Sequence, residues 1–229
     1  VYKAVIPLEK DGYYSLSYSC SDPAGNETAG AETFKLNRGG SSFKPDSSTK
    51  EQVDQYYLQS VTDMVILEEN LDKLTVYLVQ IDVNGVLVTL KENEDYTVEV
   101  SLNGEGRQVY TYRIFAYNFR NTGIYDVLIT SVDAAGNTQT NRMKDALVCF
   151  AVDREYPLIQ IQGAENEGKY EVPVLEISVI ASDNMLLSRV DIYVDEVLAY
   201  SFDEEEIRRL EGILPVSIEA SDTYRSIMA

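Results

Sequence analysis

Carboxylate and amide oxygens are the groups in this sequence whose spacing could do chemistry, because they are the ligands that calcium prefers. Asp22 and Asn26 close one segment, and Asp133 and Asn137 close another, both in the pattern Asp-x-Ala-Gly-Asn. The same residue types also form tight turns, since Gly accepts a positive φ and Asp and Asn side chains bond to nearby backbone groups. We therefore predict turns rather than metal ligands at Asp22, Gly25, Asn26, Asp133, Gly136 and Asn137.

A second group of oxygen-bearing side chains surrounds Pro157, which marks a strand edge or the entry to a new domain. The group consists of Asp153, Glu155, Asp183 and Asn184. A calcium ion needs about six to eight converging oxygen atoms. The preferred interpretation is solvated linker charge, with an interdomain calcium ion as the alternative and no other cofactor expected.

The charge balance and the absence of histidine exclude several classes of function. The chain has 229 residues, of which 38 are acidic and 19 basic, so its net charge is −19, and it has no His. Such a surface repels phosphate backbones and anionic membranes, so we expect neither nucleic-acid binding nor membrane insertion. Imidazole catalysis is excluded. A glycosidase needs two carboxylates across a cleft, whereas these fall in turns and on strand exteriors, and we predict no enzymatic activity.

Two cysteines, Cys20 and Cys149, are too few for a disulfide framework. Each lies in a short apolar run, so we predict two buried free thiols. A bridge between them, the alternative, would require two different repeat units to touch.

An internal repeat is the strongest signal in the chain. Gly12–Asn26 aligns without a gap with Gly123–Asn137, and Phe34–Arg38 parallels Phe150–Arg154 further on. A weaker third copy begins at Gly212. Its matching positions are Leu214, Val216, Ile218, Ala220 and Asp222, and Tyr224–Ser226 replaces Ala-Gly-Asn. Repetition at this spacing indicates an array of similar domains.

Within each copy, apolar residues alternate with polar ones, the period-two pattern of a half-buried strand, before the turn and a returning strand. About seven such strands fall between Ser41 and Arg154, which favours an antiparallel sandwich. Ser41–Lys50 is interpreted as a linker or entry loop. A short helical turn is predicted over 203–210, with a capping box starting at Ser201.

The two Asp-x-Ala-Gly-Asn hairpins, the Gly-x-Tyr strands before them and the junction Val152-Asp153-Arg154-Glu155-Tyr156-Pro157 resemble the bacterial immunoglobulin-like (Ig-like) repeats of Gram-positive surface proteins. The resemblance implies an all-β fold of tandem Ig-like antiparallel sandwiches. It divides the chain into the last strands of a partial unit (1–40), a complete unit (41–154) and a unit lacking its last strand (155–229). A start at Val1 without Met is interpreted as a mature product or a fragment of a longer protein.

The resemblance also implies an extracellular location, on a bacterial cell surface or cell wall, and a non-catalytic role as stalk, spacer or adhesive module. Its partners would be neighbouring Ig-like domains and a host or matrix protein or glycan, and open sheet edges suggest an edge-strand homodimer. The alternative is a carbohydrate- or protein-binding accessory module of a secreted multidomain protein. That alternative predicts one exposed aromatic row or apolar patch on a single unit. The candidates for such a row are Tyr13, Tyr56, Tyr57, Tyr112, Tyr117 and Tyr193, although core or sheet-face packing is the preferred interpretation of these tyrosines.

Overall fold

The computed structural model describes residues 5–219 and 227–228. Most of the chain forms antiparallel β-sheets, as the alternating sequence predicts. Two compact units divide it, Val1–Asp153 and Arg154–Ala229. Among the described residues, every helix is too short or too polar to cross a bilayer.

Within residues 5–153, the described part of the first unit, there are twelve strands and one α-helix. In chain order they are β1 (Gly12–Ser21), β2 (Glu27–Leu36), β3 (Ser42–Pro45), α1 (Ser47–Gln55), β4 (Tyr57–Leu58), β5 (Met64–Asn70), β6 (Leu74–Val83), β7 (Val86–Thr89), β8 (Tyr96–Leu102), β9 (Gln108–Ile114), β10 (Gly123–Asp133), β11 (Thr138–Thr140) and β12 (Val148–Val152). A 3₁₀ turn, Ala116–Phe119, precedes β10.

Two of the sheets in this unit enclose one apolar core. One has the strand order β3-β5-β9-β8, and the other β4-β12-β10-β6-β7, with β11 also paired to β10. Every second residue of β10 is buried, among them Tyr125, Val127 and Ile129, because the pleat points these side chains toward the core. Asn84 and Gly85 join β6 to β7 with φ values of 52° and 85°, as a two-residue hairpin turn requires. The strands β1 and β2 form a separate two-stranded sheet, which we call the ribbon (Gly12–Leu36).

The prediction of a linker over Ser41–Lys50 is wrong. Residues 42–45 pair with β5, and the helix α1 begins directly afterwards. Asp46 caps the helix by accepting a 2.8 Å hydrogen bond from the Thr49 backbone N–H. The Thr49 hydroxyl is buried and accepts a hydrogen bond from the Val65 N–H, so the polar composition that suggested a loop serves the cap and its anchor.

The second unit contains β13 (Leu158–Gln162), β14 (Val174–Ser182), β15 (Arg189–Val194), β16 (Val197–Asp203), α2 (Glu204–Arg209), β17 (Ile213–Glu219) and β18 (Ile227–Met228). Its sheets have the orders β13-β14-β17 and β16-β15-β18. Their core includes Val179, Ile192 and Leu214, each inaccessible to solvent. A capping box starts α2, but Asp203 and Glu206 form it rather than Ser201 and Glu204, because the strand β16 runs on to Asp203.

The third copy of the repeat coincides with β17. Leu214, Val216 and Ile218 are buried and alternate with exposed residues, as in β10. The remaining positions of this copy, Ala220, Asp222 and Tyr224–Ser226, lie outside the described residues.

Candidate functional site

The ribbon and the β10–β12 pair repeat one another in three dimensions. Tyr14 is the cross-strand partner of Phe34, and Tyr125 is the partner of Phe150. The first two rings stack with centroids 5.6 Å apart at 17°, and the second two at 5.7 Å and 15°. At these positions the two copies of the sequence repeat therefore have the same cross-strand pairing and nearly the same ring geometry.

The tyrosine hydroxyls repeat as well. Tyr14 donates a hydrogen bond to the Lys10 carbonyl, and Tyr125 donates a 2.8 Å bond to the Asn121 carbonyl. Each acceptor lies four residues before its tyrosine. In each copy, this bond holds the segment that precedes the strand in contact with the strand.

The two Asp-x-Ala-Gly-Asn turns are also alike. Gly25 and Gly136 both have φ of 87°, a conformation that side chains other than glycine rarely adopt. The carboxylates of Asp22 and Asp133 accept bonds from the backbone and side-chain N–H groups of the Asn that follows four residues later. Bonds from the Asn26 side chain and backbone lower the pKa of Asp22. All six residues predicted for turns lie in these two turns.

The two copies differ in what covers them. Tyr125 and Phe150 are buried against the opposite sheet, whereas Phe34 is 42% exposed, Leu16 43% and Tyr18 54%. Cys20 lies on β1 with Leu16 and Tyr18 and is also exposed, so the prediction of a buried thiol is wrong for Cys20. Cys149 is half-buried, and both thiols are free. The ribbon thus presents to solvent an apolar face that the second copy buries.

The end of the ribbon is fixed to the turn of the next copy through what we call the joint. It consists of Lys35, Asn37 and Gly39 on the ribbon side and Asn70, Asp72, Asp133, Asn137 and Gln139 on the sandwich side. The Asn37 amide donates to Asp133 at 2.8 Å and to Asp72 at 2.9 Å, while Lys35 forms an ion pair with Asp72.

Two further bonds of the joint reach the backbone of the residues that directly follow the ribbon. Asn137 donates to the Asn37 carbonyl at 3.2 Å, and Gln139 donates to the Gly39 carbonyl at 2.8 Å. Because side chains and backbone are both held, the joint restrains the direction in which the ribbon leaves the sandwich.

Asp11 closes the base of the ribbon. Its carboxylate accepts bonds from the Arg38 and Gly39 backbone N–H groups at 2.7 Å, and from the Arg38 guanidinium at 3.0 Å. The bond from the Arg38 backbone, with those from its side chain and from Gly39, lowers the pKa of Asp11. The entering and leaving chains are therefore clamped together next to the joint.

A buried carboxylate, Glu68, lies beneath the joint. Its side chain is inaccessible to solvent and accepts hydrogen bonds from Ser41, Ser131 and Tyr112, the last at 2.6 Å. Burial raises the pKa of Glu68 despite these three donors. Asn70 donates to Ser41 at 2.8 Å and to Asp133 at 3.3 Å, so the polar network extends from the joint into the core.

Asp133 is the acceptor on which the joint converges. Burial by itself opposes ionisation, but the hydrogen bonds from Asn137, Asn70 and Asn37 outweigh it and lower the pKa of Asp133. Sequence reasoning assigned Asp133 to a turn and missed Asn37, Asn70 and Glu68. For Glu68 a signal existed, because it shares the inward face of β5 with Met64 and Ile66.

The calcium candidates divide between the two units, with Asp153 at the end of the first and Glu155, Asp183 and Asn184 in the second. The Asp183 carboxylate accepts backbone bonds from Met185 at 2.8 Å and Leu186 at 3.0 Å, as a turn residue does. Within residues 5–219 and 227–228, no three Cys, Asp or Glu side chains are arranged to hold a metal ion. Calcium binding stays a prediction.

The aromatic candidates do not form one row. Tyr112 is buried in the core, and the Tyr117 hydroxyl bonds to the Glu94 carbonyl and to Asp95. Tyr13 is 62% exposed on the ribbon face opposite Tyr14, with the Lys35 ammonium 5.8 Å from its ring centre. Tyr56 and Tyr57 pack edge to face, and Tyr193 belongs to the second unit.

Comparison of the chain with family models, with curated proteins and with solved structures found no match.

Proposed function

We propose that the chain is a non-catalytic structural segment of an extracellular surface protein, built from tandem Ig-like sandwiches that act as a stalk or spacer. The observation that carries this proposal is the joint, in which the closing ribbon of one copy of the repeat is bonded to the closing turn of the next. A spacer needs such restraint, because its reach depends on how firmly successive parts hold their directions.

The strand order of the first unit supports the Ig-like part of the proposal. Counting β3, β5, β6, β7, β8, β9, β10 and β12 as A, B, C, C′, D, E, F and G gives sheets A-B-E-D and G-F-C-C′. These are the orders of immunoglobulin sandwiches. The Tyr125 hydroxyl, bonded to a carbonyl just upstream of strand F, matches the tyrosine corner of that fold.

The ribbon fits the same scheme as the F–G pair of another copy. Its tyrosine bond, its turn and its Tyr14–Phe34 stack all have counterparts in β10 and β12. On this proposal, residues 1–40 are the closing strands of one unit, 41–154 form the next, and 155–229 belong to a third.

The state of the carboxylates favours a structural role over catalysis. Glu68 and Asp133 are the described carboxylates least accessible to solvent, and each accepts several hydrogen bonds from neighbouring side chains. A general acid or base must reach a substrate, and Glu68 is sealed beneath the joint. Both groups therefore serve to hold the joint and the core together.

Surface labelling tests the location that the proposal requires. Antibodies raised against the chain are expected to label intact cells of the organism that makes it as strongly as permeabilised cells. Labelling that needs permeabilisation would contradict an extracellular stalk. Binding of the same chain to a glycan array tests the binding-module alternative. A pure spacer should bind the glycans no more strongly than an unrelated acidic protein does.

A further inference from the structure

We propose that the ribbon is a self-association site: β1 pairs antiparallel with β1 of a second copy of the chain, about a two-fold axis at Leu16. The two ribbons then form one four-stranded sheet in the order β2-β1-β1-β2. This goes beyond the spacer role, because it assigns a partner and a register to an edge of β1 that pairs with no strand of the described residues.

The free edge of β1 lacks the features that normally prevent pairing. Among the described residues (5–219 and 227–228), the strand pairs with β2 alone, and its ten-residue register contains no bulge. Gly12–Ser21 contains no charged residue and no proline, although the whole chain carries a net charge of −19. Natural edge strands are commonly protected by charges, prolines or bulges, so an uncharged, regular edge is suited to receiving another strand.

The second copy of the repeat shows what such an edge receives. The strand β10 corresponds to β1, and its edge away from β12 pairs antiparallel with β6. Val127 lies opposite Ile81, and Ile129 lies opposite Val79, so apolar side chains meet on the core face. An occupant of β1 should likewise be extended, antiparallel, and apolar at alternate positions.

The sequence of β1 meets that requirement against itself. Tyr14-Ser15-Leu16-Ser17-Tyr18 reads the same in both directions about Leu16. A two-fold axis at Leu16 therefore places Tyr14 opposite Tyr18 of the second copy, and each Leu16 opposite the other. Aromatic and aliphatic cross-strand pairs of this kind stabilise sheets, and a self-complementary patch is what a two-fold interface requires.

Backbone directions agree with the same register. The Asp22 N–H points toward β2, because it donates to the Asn26 carbonyl. Backbone groups alternate along a strand, so those of Ser15 and Ser17 point away from β2 toward the free edge. The axis at Leu16 sets Ser15 opposite Ser17 of the second copy as a hydrogen-bonded pair. The two Leu16 residues then form a non-hydrogen-bonded pair, in which side chains approach most closely.

Charge does not oppose this pairing locally. Glu32 is the cross-strand neighbour of Leu16, so the two Glu32 residues would lie three strand spacings apart, about 14 Å. That exceeds the Debye length of about 8 Å at physiological ionic strength. The remaining repulsion between two chains of charge −19 is long-range, so the dimer should strengthen as salt is added.

Sedimentation of the full chain from about 1 to about 500 μM tests the association. We expect the mass to approach twice that of one chain. Leu16→Lys should weaken the dimer at least about tenfold, because like charges then lie directly opposite. Leu78→Lys is the matched control: Leu78 has nearly the same exposure, 40% against 43%, but lies on β6, inside a sheet, and its variant should dimerise normally.

Disulfide trapping tests the register. On a Cys20→Ser background, Leu16→Cys should give a covalent dimer on mild oxidation. Ser17→Cys should give several-fold less, because the two positions 17 are diagonal neighbours, beyond disulfide reach. The Cys20→Ser parent chain, oxidised in the same way, measures any covalent dimer that forms through Cys149. A chain that stays monomeric throughout, a dimer that Leu16→Lys leaves unchanged, or equal trapping at positions 16 and 17 would overturn the proposal.

Discussion

The Asn37 amide donates a 2.8 Å hydrogen bond to the Asp133 carboxylate, which joins the residue directly after the ribbon to the turn that ends β10. Asp133 is 2% exposed, and its remaining donors are Asn70 and Asn137. A charged acceptor surrounded by amide donors makes stronger bonds than a neutral one. The joint is therefore an arrangement in which the removal of one partner leaves others unsatisfied.

Asn37→Ala should lower the free energy of unfolding of the first unit by about 1.5–3 kcal/mol, the usual cost of a hydrogen bond to a charged group. Chemical denaturation followed by tyrosine fluorescence measures it. Gln80→Ala is the control, since Gln80 makes one exposed bond, to Thr89, and is not one of the joint residues. Equal losses in the two variants would mean that Asn37 contributes no more than a surface residue.

The duplicated aromatic stack allows a matched comparison. Phe150→Ala should cost about 3–5 kcal/mol, because a fully buried ring is replaced by a cavity. Phe34→Ala should cost less than about 1 kcal/mol, because Phe34 remains 42% exposed beside the same kind of stacking partner. Thermal unfolding of both variants measures the two losses of stability. If Phe34→Ala cost as much as Phe150→Ala, the ribbon face would be covered in solution.

Glu68 gives the stability of the first unit a defined dependence on pH. Its folded pKa is raised by burial, so its favourable contribution is complete below the unfolded value of about 4.3 and declines as the pH rises toward the folded value. Glu68→Gln should flatten that decline, since an amide keeps hydrogen bonds to the three hydroxyls. Glu99→Gln, at an exposed position of β8, serves as the control. If the free energy of unfolding of Glu68→Gln declined with pH as steeply as that of the unchanged chain, Glu68 would not be the source of the decline.

Asp133 gives the stability of the first unit the opposite dependence on pH. Its folded pKa is lowered, so its contribution is present above the unfolded value of about 3.9 and is lost as the pH falls through the folded value. Asp133→Asn should cost about 2 kcal/mol at pH 7, because its three amide donors lose a charged acceptor. Asp22→Asn, in the equivalent but exposed turn, should cost less. Denaturation midpoints across pH 2–7 compare the two, and a larger loss at Asp22 would contradict the account.

The periodic parts of this structure could be predicted from sequence, and the joint could not. Alternation predicts β10 and β17, and the Asp-x-Ala-Gly-Asn pattern predicts the turns, because both signals are local. The helix α1 was missed because its polar residues look like a loop until Asp46 and Thr49 are recognised as cap and anchor. Asn37 and Asp133 are far apart in the chain, so only the folded structure brings them together.

Whether the joint fixes the ribbon is tested most directly by the distance between spin labels at Thr28→Cys on the ribbon and Glu99→Cys on β8, in a chain whose native cysteines are replaced by serine. With the labelled chain diluted in an excess of unlabelled chain, so that only distances within one chain are measured, we predict one narrow distance distribution by pulsed electron paramagnetic resonance, which broadens in Asn37→Ala. A broad distribution in the chain with Asn37 intact would contradict a restrained joint, and the proposed spacer mechanism with it.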